Sequence, residues 1–120
     1  MNIYIGCDIE EISRFEDKKN NKHFLGKIYT PKELEYSLNK AQSTHHLAVR
    51  FCAKEAVYKA VKQLDKSTAG WKMIEIIREK IGGRPHVILH QPRLASIKVS
   101  LSITHDGDYA WAVAIAIIQQ

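Results

Sequence analysis

RFCAKEAVYKA, Arg50 to Ala60, is the stretch on which the fold turns. Its alanines and its apolar spacing read as helix, and Leu47, Phe51, Ala53, Val57, Ala60, Val61 and Leu64 recur near helical intervals over 44–64. A helix this rich in alanine lets another element pack close. Yet it also carries Glu55 and three cations, Arg50, Lys54 and Lys59. Spacing alone allows a plain reading, because Glu55 and Lys59 form an i,i+4 pair of the kind that stabilises an exposed helix face by about 0.3 kcal/mol. It equally allows a site for a metal and phosphates.

Working outward, Ile3-Tyr4-Ile5 predicts a short strand ending at Gly6. Asp8 then reads as the cap of a helix with Glu11 completing a capping box, and Ile9, Ile12 and Phe15 as its apolar stripe. Arg14, Lys18 and Lys22 make that helix and the loop after it basic. Thr30-Pro31-Lys32-Glu33 is a strong helix start, for a helix over 31–39. Beyond the long helix the pattern turns to strands. Residues 73–78 and 86–90 flank a Gly82-Gly83 turn with Pro85, and 91–96 hold one helical turn. Val99, Leu101 and Ile103 alternate with Ser100, Ser102 and Thr104 in a half-buried strand. After the Asp106-Gly107 turn, residues 109–118 are a continuous apolar run, expected to be buried on both faces. The reading is α+β in one domain over 1–120, a long central helix packed on an antiparallel sheet gathered toward the C-terminus.

Composition narrows the partners. The 120 residues carry a net charge of +5, with 45% hydrophobic and 26% charged residues. A positive surface favours an anionic partner. The aromatic residues, 8%, are not interleaved with basic ones as a base-stacking platform requires, so nucleic acid is disfavoured. No apolar run reaches the ~20 residues of a membrane span. The N-terminus has no basic leader pattern, and Cys7 and Cys52 lack CxxC spacing, so a reduced cytoplasmic protein is expected. Cys52 reads as packing. His45-His46 read as an exposed helix start without a third ligand, and His105 by itself as a turn residue.

For chemistry, a hard cation such as Mg²⁺ takes one to three carboxylates, waters and phosphate oxygens. Asp8 and Glu55, with Glu10 as a third, supply these if the first strand packs beside the long helix. Arg50, Lys54 and Lys59 would then surround phosphates.

Five blocks in order strengthen that reading. "IGCDIEEISRF", "FLGKIYTPKEL", "RFCAKEAVYKA", "GGRPHVIL" and "SLSITHDGDYAWAVA" resemble the holo-[acyl-carrier-protein] synthases of the 4′-phosphopantetheinyl transferase superfamily, over residues 2–118. The resemblance implies that fold, and the Mg²⁺-dependent transfer of 4′-phosphopantetheine from coenzyme A to a carrier-protein serine, releasing adenosine 3′,5′-bisphosphate. It implies metal carboxylates at Asp8 and Glu55, a diphosphate-binding lysine at Lys59, and Lys54 as neighbour to the metal ligand. Nucleotide contacts are implied at Arg50, Thr104 and His105, with Gly83-Arg84-Pro85 near the adenine pocket. Glu55 or a metal-bound water takes the serine proton. An acidic acyl carrier protein would dock on Arg14, Lys18 and Lys22, and chains of this length form homotrimers. Glu10 matches the D-x-E pattern of the larger surfactin-type transferases and is expected as a third metal ligand. Departures from the family are LDKSTAG in place of a Gly-rich loop, Met73 for an Asp, and Lys27 for an Arg. The rival reading is an inactive module that binds a CoA-like nucleotide or an acidic protein.

Overall fold

A computed structural model describes residues 1–66, 70–78 and 83–119. The order is β1 (Asn2–Glu11), α1 (Lys22–Ile28), α2 (Pro31–Leu38), α3 (Ser43–Val61), β2 (Ile74–Arg78), β3 (Pro85–Leu89), β4 (Ile97–Asp106) and β5 (Tyr109–Ile118). The long β strands form one antiparallel sheet, β1-β5-β4, and β2-β3 form a separate hairpin. The α+β class is borne out. The sheet is not confined to the C-terminal half, because β1 pairs along the full length of β5, from Asn2 against Ile118 to Glu11 against Tyr109.

Alternation decides the faces. Ala110, Ala112, Ala114 and Ala116 of β5 are fully buried against α3. Register places Glu10, Asp8, Gly6 and Tyr4 of β1 beside them on the same face. Small residues are what let α3 lie close. A Cβ on Gly6 would stand 2.2 Å from the Ala56 carbonyl oxygen and 2.5 Å from the Ala60 nitrogen, both backbone atoms. The close approach expected of the alanine-rich helix is therefore present.

Two expectations are corrected. Asp8 does not cap a helix: β1 runs on to Glu11, and only a 3-10 turn, Ile12–Phe15, follows. The outward side of β1, with the exposed Ile3, Ile5 and Ile9, looks like the side that should be core, and this hid the inward placement of Asp8. Residues 109–118 are buried on one face only, since Tyr109, Trp111 and Val113 are 51%, 51% and 38% exposed. Arg14, Lys18 and Lys22 accordingly lie on two 3-10 turns, Ile12–Phe15 and Lys18–Asn20, and at the start of α1, rather than on one helix.

Helix α2 begins as its residues dictate. The Thr30 backbone N–H donates to Glu33 Oε1 at 2.9 Å, and Thr30 Oγ1 accepts from the Glu33 backbone at 3.3 Å. Glu33 is 1% exposed, and its other oxygen accepts the Ile76 N–H at 2.8 Å. The cap thus also fastens β2. Glu75, next in β2, accepts from the Thr30 hydroxyl and lies 3.0 Å from His90 Nε2. Burial pushes the Glu75 carboxyl up, but the bonds to Thr30 and His90 outweigh it and leave it below its ordinary value of 4.5. A lowered carboxyl stabilises the fold above its unfolded pKa, and that contribution drains away as pH falls through the folded value. Glu75→Gln should therefore flatten the acid limb of Tm against pH, followed by circular dichroism between about pH 6 and 3.

Candidate active site

The seam between β1 and α3 gathers the acids. Asp8 and Glu10, two apart on a strand, share the face turned to α3. The Asp8 side chain is 10% exposed. Lys59 Nζ donates to Asp8 Oδ1 at 3.0 Å and to the Cys7 carbonyl at 3.1 Å, so Lys59 pairs across the seam rather than along its own helix with Glu55 alone. Asp8 Oδ2 is buried with no hydrogen-bond partner. Burial first, then a hydrogen bond to the Asp8 carboxylate, then the Asp8 and Glu55 charges push the Glu10 carboxyl up to about 8, so the donor-less Oδ2 faces only another acid. Burial and then the Asp8 charge raise Glu55, with Lys59 opposing. The hydrogen bond to Asp8 raises Lys59.

Crowded carboxylates with one buried acceptor left over are the condition a hard divalent cation relieves, and oxygen donors are the type that Mg²⁺ takes. In donor type and charge the seam fits such an ion. Among the described residues, no three Asp, Glu, His or Cys side chains stand already gathered as a cluster that could hold one. Glu10 as a third ligand therefore remains a reading of its charge and face, not of coordination geometry.

Two cations expected around phosphates are spent elsewhere. Lys54 is 1% exposed, and its ammonium donates to Glu33 Oε1 at 2.6 Å and to the Ile74 carbonyl at 2.7 Å. Burial lowers the Lys54 pKa and Glu33 offsets part of that. Arg50 is also buried, donating to the Ile76 carbonyl at 2.8 Å with its guanidinium 4.5 Å from the Tyr36 ring centroid. Both tie α3 to β2 and α2. Their partners lie 20 or more residues away in sequence, which is why spacing could not show this.

His105 and Thr104 end β4 and line a cavity of about 410 Å³ with Tyr36, His45, His46, Val49, Arg78 and Ile103. His45 and His105 meet edge to face, with ring centroids 4.6 Å apart. The histidine pair at the start of α3 is thus part of this wall and not simply exposed. Register links the cavity to the seam: His105, Ala110 and Glu10 form one row across the three strands. Two strand spacings, about 10 Å, separate the imidazole strand from the acid strand on the same face. Gly83, at φ +59°, packs on the Arg78 guanidinium, whose side chain therefore joins the Gly83-Arg84-Pro85 turn to the cavity. Residues 79–82 of that turn, and 67–69 of the LDKSTAG loop, lie outside the described residues.

Sequence reasoning missed three groups. Arg78 is one. Trp71 is another: it lines a cavity of about 170 Å³ with Glu55 and Tyr58, and its buried indole N–H is near enough to the Glu55 carboxylate to lower it. The third is Asp108, whose carboxylate accepts from the Ser13 backbone at 3.0 Å and the Ser13 hydroxyl at 2.6 Å, holding the β4–β5 turn against the end of β1. The packing role of Cys52 stands. Its buried thiol donates to the Asp8 carbonyl at 3.2 Å, and burial pushes it up to about 12. Lys18, 5.0 and 4.9 Å from the Phe15 and Phe24 ring centroids, is near enough for its charge to lower Glu10.

A helix laid on a small-residue sheet, with acids and a lysine in the seam and an imidazole- and arginine-walled cavity two strands away on the same row, is the frame of an enzyme that handles phosphate groups. The sequence profile described as the 4′-phosphopantetheinyl transferase superfamily matches residues 4–114. A holo-[acyl-carrier-protein] synthase of Chlorobaculum parvum is 41% identical over 117 residues, covering 96% of this chain and 97% of its own. That of Geotalea daltonii is 36% identical over 118 residues, covering 92% and 94%. Among solved structures, an ACPS–CoA complex from Chronobacterium ammoniagenes superposes with a TM-score of 0.83 at 26% identity over 100% of both chains. The chain belongs to the 4′-phosphopantetheinyl transferase superfamily, and within it to the holo-[acyl-carrier-protein] synthases. It is a 4′-phosphopantetheinyl transferase.

Proposed function

We propose that the chain transfers 4′-phosphopantetheine from coenzyme A to a serine of an acidic acyl carrier protein, with Mg²⁺ held by Asp8 and Glu55, releasing adenosine 3′,5′-bisphosphate. The observation that carries this is the buried, partnerless Asp8 Oδ2 in a seam it shares with Glu55 and Lys59. The Helicobacter pylori relative, 27% identical with a TM-score of 0.78, was solved in complex with coenzyme A. A divalent cation bound in the seam would neutralise charge on the diphosphate oxygens. Lys59 adds a positive charge there. Glu55 is suited to take the serine proton, since burial and the Asp8 charge hold its carboxyl above the ordinary range. The cavity at His105 and Arg78 takes the nucleotide end, two strands from the acid seam. Positioning of the two ends supplies much of the rate.

The test is a mass-shift assay. With coenzyme A, Mg²⁺ and an apo-carrier protein, the carrier gains the mass of one phosphopantetheine group. Excess chelator stops the gain, and Mg²⁺ restores it. Transfer that continues at full rate in chelator would remove the cation from the reading.

The carrier is read as docking on Arg14, Lys18 and Lys22, whose charge complements an acidic helix. Lys18, felt by Glu10, brings that surface to the seam. The protein is read as a homotrimer. Support comes from the sheet face turned away from α3, where Ile3, Ile5, Ile9, Tyr109, Trp111 and Val113 are all more than a third exposed. An apolar face of this kind marks an association surface. Trp111→Glu should yield a species of one-third the mass in light-scattering chromatography, with circular dichroism largely kept. No helix among the described residues is long and apolar enough to cross a membrane. Both cysteines are free, in keeping with a reaction in the cytoplasm.

A further inference from the structure

Lys59 occupies an unusual place for a phosphate-binding cation. Its ammonium already has two acceptors, Asp8 Oδ1 and the Cys7 carbonyl. It sits against the carboxylate that the proposed cation needs. Among the described residues it is the one cation that bonds Asp8, set against the three acids Asp8, Glu10 and Glu55 of the seam. The Lys59 side chain is 43% exposed, on a long flexible stem, so it is free to leave. Lys54 makes the contrast. Its ammonium is 1% exposed and locked between Glu33 and Ile74.

We infer that Lys59 is an exchangeable counter-ion: it holds the cation's seat on Asp8 until a divalent cation takes that seat, and the ammonium so released is the one that meets the donor's phosphates. The inference rests on the proposed cation site. A doubly charged ion bound to Asp8 and Glu55 neutralises more of the seam than one ammonium does, and it repels that ammonium. Asp8 Oδ2, which takes no ammonium, amide or hydroxyl, gives the ion its first hold while Lys59 still occupies Oδ1, the other half of the seat. Displaced, Lys59 loses its carboxylate and has only the neutral Cys7 carbonyl, so its charge needs an anion. Cation binding thus releases the charge that the donor requires, which couples the two ligands through one side chain. In the cation-free protein the same side chain blocks the seat and is withheld from the donor.

The consequence runs against intuition, since removing Lys59 should improve one ligand and harm the other. Lys59→Met keeps the stem and removes the charge. Lys62→Met is the control: Lys62 is felt by Glu55 through space, and its ammonium lies over the Tyr58 ring at 5.4 Å. Mn²⁺ binding is read by calorimetry or by its spin resonance, and coenzyme A binding by calorimetry with Mn²⁺ and in chelator. Lys59→Met is expected to bind Mn²⁺ about fivefold tighter or more, within the usual range for coupled sites, with a clearly smaller gain in Lys62→Met. It is expected to lose coenzyme A affinity strongly with Mn²⁺ present and little in chelator, where Lys59 is held by Asp8. Unchanged or weaker Mn²⁺ binding in Lys59→Met, or an equal loss of coenzyme A affinity in both conditions, overturns the exchange while leaving the cation site standing. A native protein that binds no Mn²⁺ overturns the cation site, and the exchange with it.

Discussion

Glu55→Gln is expected to abolish transfer while leaving the fold intact or slightly more stable. The carboxylate is half-buried beside Asp8, and its charge is disfavoured first by burial and then by that neighbour. Replacing it with a neutral isostere removes a repulsion from the folded state, so Tm should hold or rise. The same change takes away a charged oxygen donor from the seam and the proposed acceptor of the serine proton. Loss of a metal ligand or of a preorganised charge typically costs a factor of about 10²–10³ in rate, and here one residue serves both roles. The measurement pairs carrier mass shift with thermal denaturation. A variant that is inactive because it is unfolded, or one that is folded and still fast, would each contradict this account of Glu55. Excess Mg²⁺ should recover little, because the missing donor rather than ion occupancy limits the reaction.

Gly6→Ala should be the most destabilising alanine substitution among the described glycines. The new Cβ would meet the Ala56 oxygen at 2.2 Å and the Ala60 nitrogen at 2.5 Å. Neither belongs to a side chain that can turn aside. Strand β1 must lift from α3, which overpacking data place at about 3 kcal/mol or above. For a domain of this size that is a fall in Tm on the order of 10 °C. The lift also acts at a distance of two residues, because Asp8 rides on the same strand and face. The lift carries Asp8 away from Glu55 on α3, and cation affinity should fall even at temperatures where the variant is folded. Calorimetric scans with and without Mg²⁺ check both parts. A Tm within about two degrees of the native value would show that the helix can yield.

The parts legible in the sequence are those whose causes are local. Thr30, Pro31 and Glu33 announced α2 because a cap, a ring and a carboxylate act within one turn. The alternation of Val99, Leu101 and Ile103 announced β4 for the same reason. Alanine content announced the close contact of α3 with β1, which Gly6 makes explicit. What failed was long-range. Lys54 looked like a companion of Glu55 because they adjoin, but its ammonium belongs to Glu33, set by how α2 crosses α3. Arg50 looked free for a ligand, but a carbonyl 26 residues on has claimed it. Asp8 looked like a cap because Glu11, three residues on, completes a capping-box pattern, and only pairing with β5 shows it to be mid-strand. The candidate site followed the same division. Asp8, Glu10, Glu55 and Lys59 could be named from motif order, whereas Arg78, Trp71 and Asp108 enter only through contacts.

Strand β1 has a second neighbour that is not a strand. Gln63 donates to the Ile5 carbonyl at 2.9 Å, and Lys59 to the Cys7 carbonyl at 3.1 Å, so two side chains of the α3 segment occupy acceptors that β1 does not give to β5. An open strand edge bearing isoleucines is a template for runaway pairing with other chains. Here the edge is sealed by the helix that carries Glu55 and by Gln63 just beyond it, and the apolar residues point perpendicular to it. Copies of the chain are thereby steered to meet face against face, a closed and countable association, and away from the edge-to-edge growth that ends in fibres.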